Sequence, residues 1–345
     1  MPITEYMSFI ASYTLNFDDI TLDQNTFFSD FDGDGIRTCE PLFAGRFLCD
    51  AIGKRTSSIL GANVVYSTLD SRLRPTRGEN VSFSTELAGL GGNVKYVRVR
   101  GTASKYWPVG AGFIFSVSAE GGAINALEDS NRPGFDDVIL TDRFQLGEPR
   151  FRGFDIRGVG PRVIRQPYID DGEGGVIPLT ERNQVVDDAL GGRAYYLGRA
   201  ELEIPLGTGA RELGLRPSIF MDVGALFAVT KPILQDNPNG IQQRDGDGNL
   251  LYLEVITDAN GNPSTVFSTN AIAADGVTAN APSIIQNSRF REVFLGDSIS
   301  PRVSIGIGVN WNSPFGPFRI DFARVLKSQP GDDTKRFTFN VGTQF

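Results

Sequence analysis

The stretch "RVSIGIGVNW", residues 302–311, alternates between two kinds of side chain. Large apolar residues share one face: Val303, Ile305, Ile307, Val309 and Trp311. The opposite face is small or polar: Ser304, Gly306, Gly308 and Asn310. A period of two residues predicts a β-strand. A strand of a soluble sandwich would turn Lys, Glu and Thr towards bulk water. A face of glycine, serine and asparagine instead favours a strand with lipid on one side and a polar interior on the other.

Nine further segments repeat this pattern, which gives ten predicted strands. They lie at about residues 5–20, 56–69, 79–88, 94–107, 111–124, 195–206, 218–227, 318–324 and 336–345. In the last segment, "RFTFNVGTQF", Gly342 lies on the polar face, and the apolar face holds Phe337, Phe339, Val341 and Phe345. We therefore predict an all-β fold, an antiparallel transmembrane β-barrel whose strands follow one another as an up-and-down meander.

The connections between these segments are sorted by length. The long ones, at 21–55, 125–192 and 230–299, are separated by short ones such as 108–110 and 208–214. Membrane barrels have short turns on the periplasmic side and long loops outside, whereas a soluble β domain has no reason to sort its loops. This order predicts that the chain enters from the periplasmic side of a bacterial outer membrane.

The amino-acid composition excludes several functions for this protein. The chain has 345 residues, no histidine and a formal net charge of −8. Nucleic-acid binding needs clustered positive charge, so the acidic balance argues against a nucleic-acid partner. The lack of histidine removes Ser-His-Asp and Cys-His catalysis and His-ligated zinc. We predict a protein that is not an enzyme and that holds no cofactor and no metal centre.

The two cysteines lie ten residues apart in the first long connection. With no other cysteine or histidine available, a zinc site is disfavoured, and Cys39 and Cys49 are predicted to form a disulfide in an oxidising compartment. Two free thiols are the alternative.

The same connection contains a weak calcium-loop pattern. In "DFDGDGIRTCE", residues 30–40, Asp30, Asp32 and Asp34 stand at alternate positions, as at the start of an EF-hand loop. The twelfth position, where a glutamate should bind the ion, is Pro41. Asp-Gly pairs are ordinary turn residues, so we expect a solvated surface turn, with a calcium site as the alternative.

The stretch "EPRFRGFDIRGVGPRV", residues 148–163, carries four arginines and has no strand or helix periodicity. A loop this basic in an acidic chain should have a partner. Glu203 and Asp222 lie on the polar faces of adjacent predicted strands, and a turn centred near residue 212 would put them almost opposite each other. Two facing carboxylates repel, so a cation between them is expected. Arg152 is the candidate, because its guanidinium offers five donors in a rigid fork.

The neighbours of Arg152 complete a predicted loop-lock motif: Phe151, Arg152, Gly153 and Phe154. Gly153 would let the backbone turn tightly beside the cation, and the two phenylalanines would pack against the barrel wall or stack on the guanidinium.

"FRGF", residues 151–154, resembles the Arg-Gly-Phe motif in the long inward-folded loop of the BamA family of outer-membrane protein assembly factors. Phe151 stands where the usual motif has valine. "GIGVNWNSPFGPFRIDFA", residues 306–323, resembles the family's penultimate hairpin. "RFTFNVGTQF" resembles its terminal strand, the aromatic-ended targeting signal. "YSTLDSRLRPTRG", residues 66–78, resembles the turn before a barrel strand. These motifs extend over most of the chain.

The resemblance implies a functional site, and it also shows where this chain differs from the family. In the family the motif's arginine reaches acidic residues on the strands matching 193–206 and 216–228, and the terminal strand takes part in a weakly paired seam. Family barrels have sixteen strands, preceded by POTRA repeats and a signal peptide. We therefore expect residues 1–345 to be one outer-membrane β-barrel domain without the first six strands, the POTRA repeats and the signal peptide. A fragment or a late gene start is expected rather than a short relative.

The resemblance also implies a function, the assembly and insertion of β-barrel proteins into the bacterial outer membrane. An incoming strand would pair with an exposed edge at the seam. The implied partners are unfolded outer-membrane β-barrel proteins, outer-membrane lipids and accessory assembly lipoproteins. The alternative is an outer-membrane translocator, a secretion pore of the same superfamily that shares the barrel and the Arg-Gly-Phe loop.

Overall fold

The structure, a computed structural model, describes residues 1–29, 36–40, 44–72, 74–207, 214–245, 247–257, 263–285, 288–313 and 316–341. The calcium candidates Asp30, Asp32 and Asp34 lie outside the described residues. So do the last four residues of the predicted terminal strand, 342–345, which include Gly342 and Phe345.

The strands of the described part are numbered along the chain: β1 (Met7–Ile20), β2 (Phe28–Ser29), β3 (Thr38–Cys39), β4 (Gly53–Ser67), β5 (Gly78–Gly92), β6 (Tyr96–Gly110), β7 (Phe113–Ala126), β8 (Arg162–Asp170), β9 (Val176–Pro178), β10 (Val186–Ala189), β11 (Ala194–Glu203), β12 (Leu215–Phe227), β13 (Asp236–Asn237), β14 (Tyr252–Thr257), β15 (Pro263–Ser268), β16 (Ala281–Pro282), β17 (Phe290–Leu295), β18 (Arg302–Ser313), β19 (Gly316–Lys327) and β20 (Phe337–Val341). Ten of them form one antiparallel sheet in the order β1-β4-β5-β6-β7-β11-β12-β18-β19-β20. Each of these ten matches a predicted strand, so the predicted all-β antiparallel meander is confirmed.

The two faces of this sheet differ as predicted. We call the face covered by the chain's own loops the inner face, and the other the outer face. Residues that pair directly across adjacent strands form an apolar row on the outer face of seven strands: Trp107, Phe115, Leu202, Ile219, Ile307, Phe322 and Phe337. Ile219 and Ile307 are 50% and 59% exposed. An apolar surface this wide is unfavourable in water and favourable against lipid.

The first long connection carries two one-turn helices, Gln24–Phe27 and Arg46–Cys49. Cys39 and Cys49 are joined by a disulfide, with their Cα atoms 5.6 Å apart. Among the described residues, no helix is both long enough and apolar enough to cross a membrane.

The other long connections contain sheets of their own, which the sequence analysis did not predict. Strand β8, in the connection after β7, pairs with β17, in the connection after β12, so the two connections share one sheet. A further sheet has the order β15-β14-β16. Strand β8 lacks an apolar alternation because its buried side chains include Arg162 and Arg165, which pair with Asp187 and Glu292.

The core of the protein lies against the inner face. The connection between β7 and β11 folds back over this face and buries a cluster of its own apolar side chains: Val138, Phe144, Leu146, Phe151, Phe154 and Val159. They pack with Tyr195, Leu197 and Leu226 of the inner face. Burial of this cluster places the loop-lock motif beside strands β11 and β12.

Candidate functional site

Arg152 lies at the centre of a buried ion-pair network on the inner face. Its Nε donates a hydrogen bond to Asp222 Oδ2 at 2.8 Å, and its Nη2 donates to Asp222 Oδ1 at 2.5 Å. Its Nη1 donates to Glu201 Oε2 at 2.8 Å. The side chains of Arg152 and Asp222 are 6% and 0% exposed. The guanidinium fork therefore neutralises two carboxylates at once, in a place that excludes most water.

The prediction of Glu203 as the second acidic partner is wrong. The guanidinium contacts Glu201, and Glu203 instead lies 3.5 Å from Arg216. The ladder between β11 and β12 pairs Glu203 with Ser218, so its register differs by four residues from the predicted one. Glu201 and Glu203 share a face, and alternation alone does not distinguish them.

An aromatic ring packs against the guanidinium of Arg152. The Cζ of Arg152 lies 3.5 Å from the centroid of the Phe220 ring, which stands on the inner face and is 2% exposed. Contact of a desolvated guanidinium with a ring face adds a cation–π attraction to the ion pairs. Phe151 and Phe154 are both fully buried, with ring centroids 4.6 Å apart, and they pack in the inner cluster.

Residues of strand β18 pack against the loop-lock motif and the Phe220 ring. The hydroxyl of Ser304 donates to the Arg152 carbonyl oxygen at 2.6 Å. Gly306 pairs with Phe220 in the ladder, and a Cβ at residue 306 would lie 2.5 Å from Phe220 Cζ. The glycine therefore leaves the space that the ring fills. Gly153 has a φ of 91° and packs over the same strand, where a Cβ would lie 3.1 Å from Ser304 Cβ.

A second arginine, which the sequence analysis missed, completes the network. Arg319 Nη2 donates to Glu201 Oε1 at 3.2 Å, and its Nε donates to Asp321 Oδ2 at 2.9 Å. Ser218 also donates to Glu201 Oε1, at 2.6 Å. A Cβ at Gly308 would lie 2.3 Å from Asp321 Oδ1, so this glycine makes room for the pair. The available signal was the charged residues that alternate with apolar ones in "FRIDFA", residues 318–323.

The last strand has the predicted orientation in its described part. Phe337, Phe339 and Val341 are on the outer face and are 47%, 51% and 56% exposed, whereas Thr338 is 2% exposed on the inner face. Strand β20 pairs with β19 over five residues, from Phe318↔Val341 to Phe322↔Phe337. Its role in a seam stays a prediction.

Within the described ranges, no group of three or more His, Cys, Asp or Glu side chains is arranged to hold a metal ion.

We expect Gly306→Ala to lower the free energy of unfolding by about 1–3 kcal/mol, because the new methyl group overlaps the Phe220 ring and the Phe322 carbonyl oxygen. Urea titration of the protein in phospholipid vesicles measures the change. Gly198→Ala is the matched control, because a Cβ at residue 198 on β11 would meet only the Val223 carbonyl oxygen at 3.8 Å. Equal losses in the two variants would contradict the assigned role of Gly306.

Fold and site together define an antiparallel barrel protein whose interior is closed by its own loop. The Omp85 superfamily domain matches residues 1–345, and the chain belongs to this superfamily.

Individual relatives agree with this assignment. The chain is 26% identical over 304 residues to the outer membrane protein assembly factor BamA of Neorickettsia risticii, a match that covers 85% of this chain and 28% of that protein. It is 24% identical over 276 residues to BamA of Neisseria meningitidis, covering 80% of this chain and 27% of that protein. A SAM50-like protein of Drosophila melanogaster is 30% identical over 119 residues, 34% of this chain and 26% of that protein.

A solved structure shares the fold. The crystal structure of BamA from Haemophilus ducreyi lacking POTRA domains 1–3 matches with a TM-score of 0.55 at 17% identity, covering 100% of this chain and 52% of that one. The chain thus spans about half of that structure, and little more than a quarter of the two BamA relatives it matches.

Proposed function

We propose that this chain is the barrel part of a protein that assembles β-barrel proteins and inserts them into the bacterial outer membrane. The observation that carries the proposal is that Arg152 holds the loop tip, residues 148–158, against the inner face of the sheet. A passive pore needs a water-filled interior. Phe151 and Phe154 are fully buried against the inner face, which disfavours a passive open pore. A secretion pore of the superfamily would share this loop, and the likeness to two BamA proteins over 85% and 80% of this chain favours an assembly factor.

The proposed mechanism of insertion uses the last strand, β20. In the described part, β20 is the last strand of the ten-stranded sheet and pairs with β19 along one edge. The free edge of a terminal strand presents unpaired N–H and C=O groups to an incoming strand. The proposed substrates are therefore unfolded outer-membrane β-barrel proteins, which gain backbone hydrogen bonds before they leave as closed barrels.

The remaining partners follow from the surfaces and from the relatives. The apolar outer face supports contact with outer-membrane lipids, because exposed side chains such as Ile307 and Phe322 match a hydrocarbon environment. Accessory assembly lipoproteins are proposed from the likeness to BamA. The proposed action forms and breaks only hydrogen bonds, so the protein is not proposed to be an enzyme.

The proposal predicts catalysed folding. Phosphatidylcholine vesicles that contain the protein should fold a urea-denatured eight-stranded outer-membrane barrel several times faster than empty vesicles, because the template replaces slow, unassisted pairing. The fraction folded is measured by its altered gel mobility without heating. Vesicles with an unrelated closed barrel are the control. No acceleration, together with steady passage of an unfolded soluble protein, would instead support a secretion pore.

A further inference from the structure

The connection between β19 and β20 is bound on several sides just before the last strand begins. We infer that Asp333 and Lys335 are positioning residues, which hold the start of β20 on the loop tip that carries Arg152. We call Asp332–Lys335 the latch segment. The inference rests on the proposed function, in which β20 is the strand whose edge pairs with an incoming strand.

Backbone hydrogen bonds join the latch segment to the loop tip. The N–H of Asp155 donates to the Asp333 carbonyl oxygen at 3.0 Å, and the N–H of Asp333 donates to the Gly158 carbonyl oxygen at 2.7 Å. The N–H of Lys335 donates to the Gly153 carbonyl oxygen at 3.0 Å. These bonds form a small ladder between two connections that are far apart in the sequence.

Side chains reinforce the ladder. Lys335 Nζ lies 2.8 Å from Glu148 Oε2 and 3.6 Å from Asp155 Oδ1, both on the loop tip. The hydrogen bond to Glu148 raises the pKa of Lys335. Asp333 pairs with Arg182, which belongs to the same connection as Arg152.

A deeper ion pair fixes the other side of the latch segment. Arg302 Nε donates to Asp332 Oδ2 at 3.1 Å, and neither side chain is exposed. Arg302 also donates to the carbonyl oxygens of Gly296 and Ser298, each at 2.7 Å. The latch segment is therefore clamped between the external end of β18 and the loop tip.

This arrangement couples Arg152 to the last strand. The carbonyl oxygen of Gly153 accepts from Lys335, and Gly153 is held in place because the preceding Arg152 is bound to Asp222 and its carbonyl oxygen to Ser304. Removal of Arg152 from its site would displace the acceptor. Two residues beyond Lys335, β20 begins, and in the described part it pairs with one strand, β19.

The test is hydrogen exchange of the β20 amides, residues 337–341, in the protein embedded in phosphatidylcholine vesicles without substrate. Lys335→Ala should speed their exchange about two- to five-fold, as expected for the loss of half-exposed ion pairs. Arg152→Ala should speed it by a larger factor, although the hydrogen bonds of Arg152 described above go to β11, β12 and β18. Lys327→Ala is the control and should leave the rates unchanged, because Lys327 is an exposed residue at the end of β19, just before the same connection.

Amides of β6 separate coupling from a general loss of stability. If Arg152 acts through the latch segment, exchange in β20 rises by a larger factor than exchange in β6, which reports the general loss of stability. The double variant Arg152→Ala, Lys335→Ala should then exchange no faster in β20 than Arg152→Ala alone, because both changes break one chain of contacts. Equal rises in β6 and β20, or a Lys335→Ala rate equal to that of Lys327→Ala, would overturn the inference. Because no substrate is present, failure here differs from failure of the folding assay.

Discussion

Arg152→Ala is expected to lower the free energy of unfolding by about 3 kcal/mol. The substitution leaves the carboxylates of Asp222 and Glu201 close together and shielded from water, without the cation that joins them. A broken buried pair typically costs about 3–5 kcal/mol. We expect the lower end because Arg199 lies directly opposite Asp222 in the ladder. Urea titration in phospholipid vesicles, followed by the fluorescence of the two tryptophans, measures the change.

The matched control is Arg150→Ala, two residues away in the same loop. Arg150 pairs with Glu120 at 2.8 Å, but its side chain is 40% exposed. Exposed pairs contribute about 0.2–1 kcal/mol, so this variant should lose far less stability. If the two alanine variants lost the same stability, burial of the Arg152 pairs would not be the cause.

The effect of Asp222→Asn on stability should have opposite signs in the native protein and in the Arg152→Ala variant. Asp222→Asn should destabilise the native protein, because it weakens both hydrogen bonds that Asp222 accepts from the guanidinium. The same substitution should stabilise the Arg152→Ala variant, because it removes a buried charge that has lost its partner. Destabilisation by Asp222→Asn in both backgrounds would contradict the charge argument.

The alternation of side chains was enough to predict the strands and their faces. In a barrel strand each face meets one environment along its whole length, lipid or interior, so a period of two is preserved from end to end. The rule worked for Phe337, Thr338 and Phe339, whose exposure alternates as predicted. It needs no knowledge of which strand is the neighbour.

Register was not predictable in the same way. The pairing of β11 with β12 depends on the conformation of the turn between them, and the alternation tolerates any shift by an even number of residues. Asp222 was therefore identified correctly and Glu201 was missed in favour of Glu203, which has the same orientation on the strand. An error of four residues changes the partner of Arg152 and leaves the fold unchanged.

The apolar residues of the inner face show a second limit of pattern analysis. Phe220 and Leu226 stand among polar neighbours on β12, yet they are 2% and 0% exposed. They are buried because the protein's own loop fills the interior, and such a loop has no periodicity of its own to reveal its position. An aromatic residue on a polar face is thus a signal of a docked loop.

The charged strands of the external loops were missed for a related reason. Arg162 and Arg165 of β8 are 2% and 8% exposed, and they pair with Asp187 and Glu292. A segment that buries paired charges has no apolar period, so sequence analysis assigns it to a loop. The latch segment, "DDTK", belongs to this class.

Ala103→Arg is expected to lower the free energy of unfolding in vesicles by about 2–4 kcal/mol. Ala103 is the middle residue of β6 and lies on the outer face, between Val81 and Ala119 of the neighbouring strands. An arginine there would place its charge near the centre of the bilayer, where its hydration is lost. The cost falls to about 0–1 kcal/mol near the interfaces, so the central position gives the largest effect.

Thr102→Arg is the matched control, one residue earlier on the same strand. Both residues are exposed in the structure, and neither site offers a steric reason for destabilisation. Thr102 lies on the inner face opposite Glu120, where a new arginine keeps its water and gains a carboxylate neighbour. Surface substitutions of this kind usually change stability by less than about 0.5 kcal/mol. The two variants share the strand, the depth and the added charge. A difference of 2 kcal/mol or more between their free energies of unfolding would therefore show that lipid covers the outer face and water the inner face. Equal stabilities would mean that water covers both faces, which would exclude a lipid-facing surface at this strand.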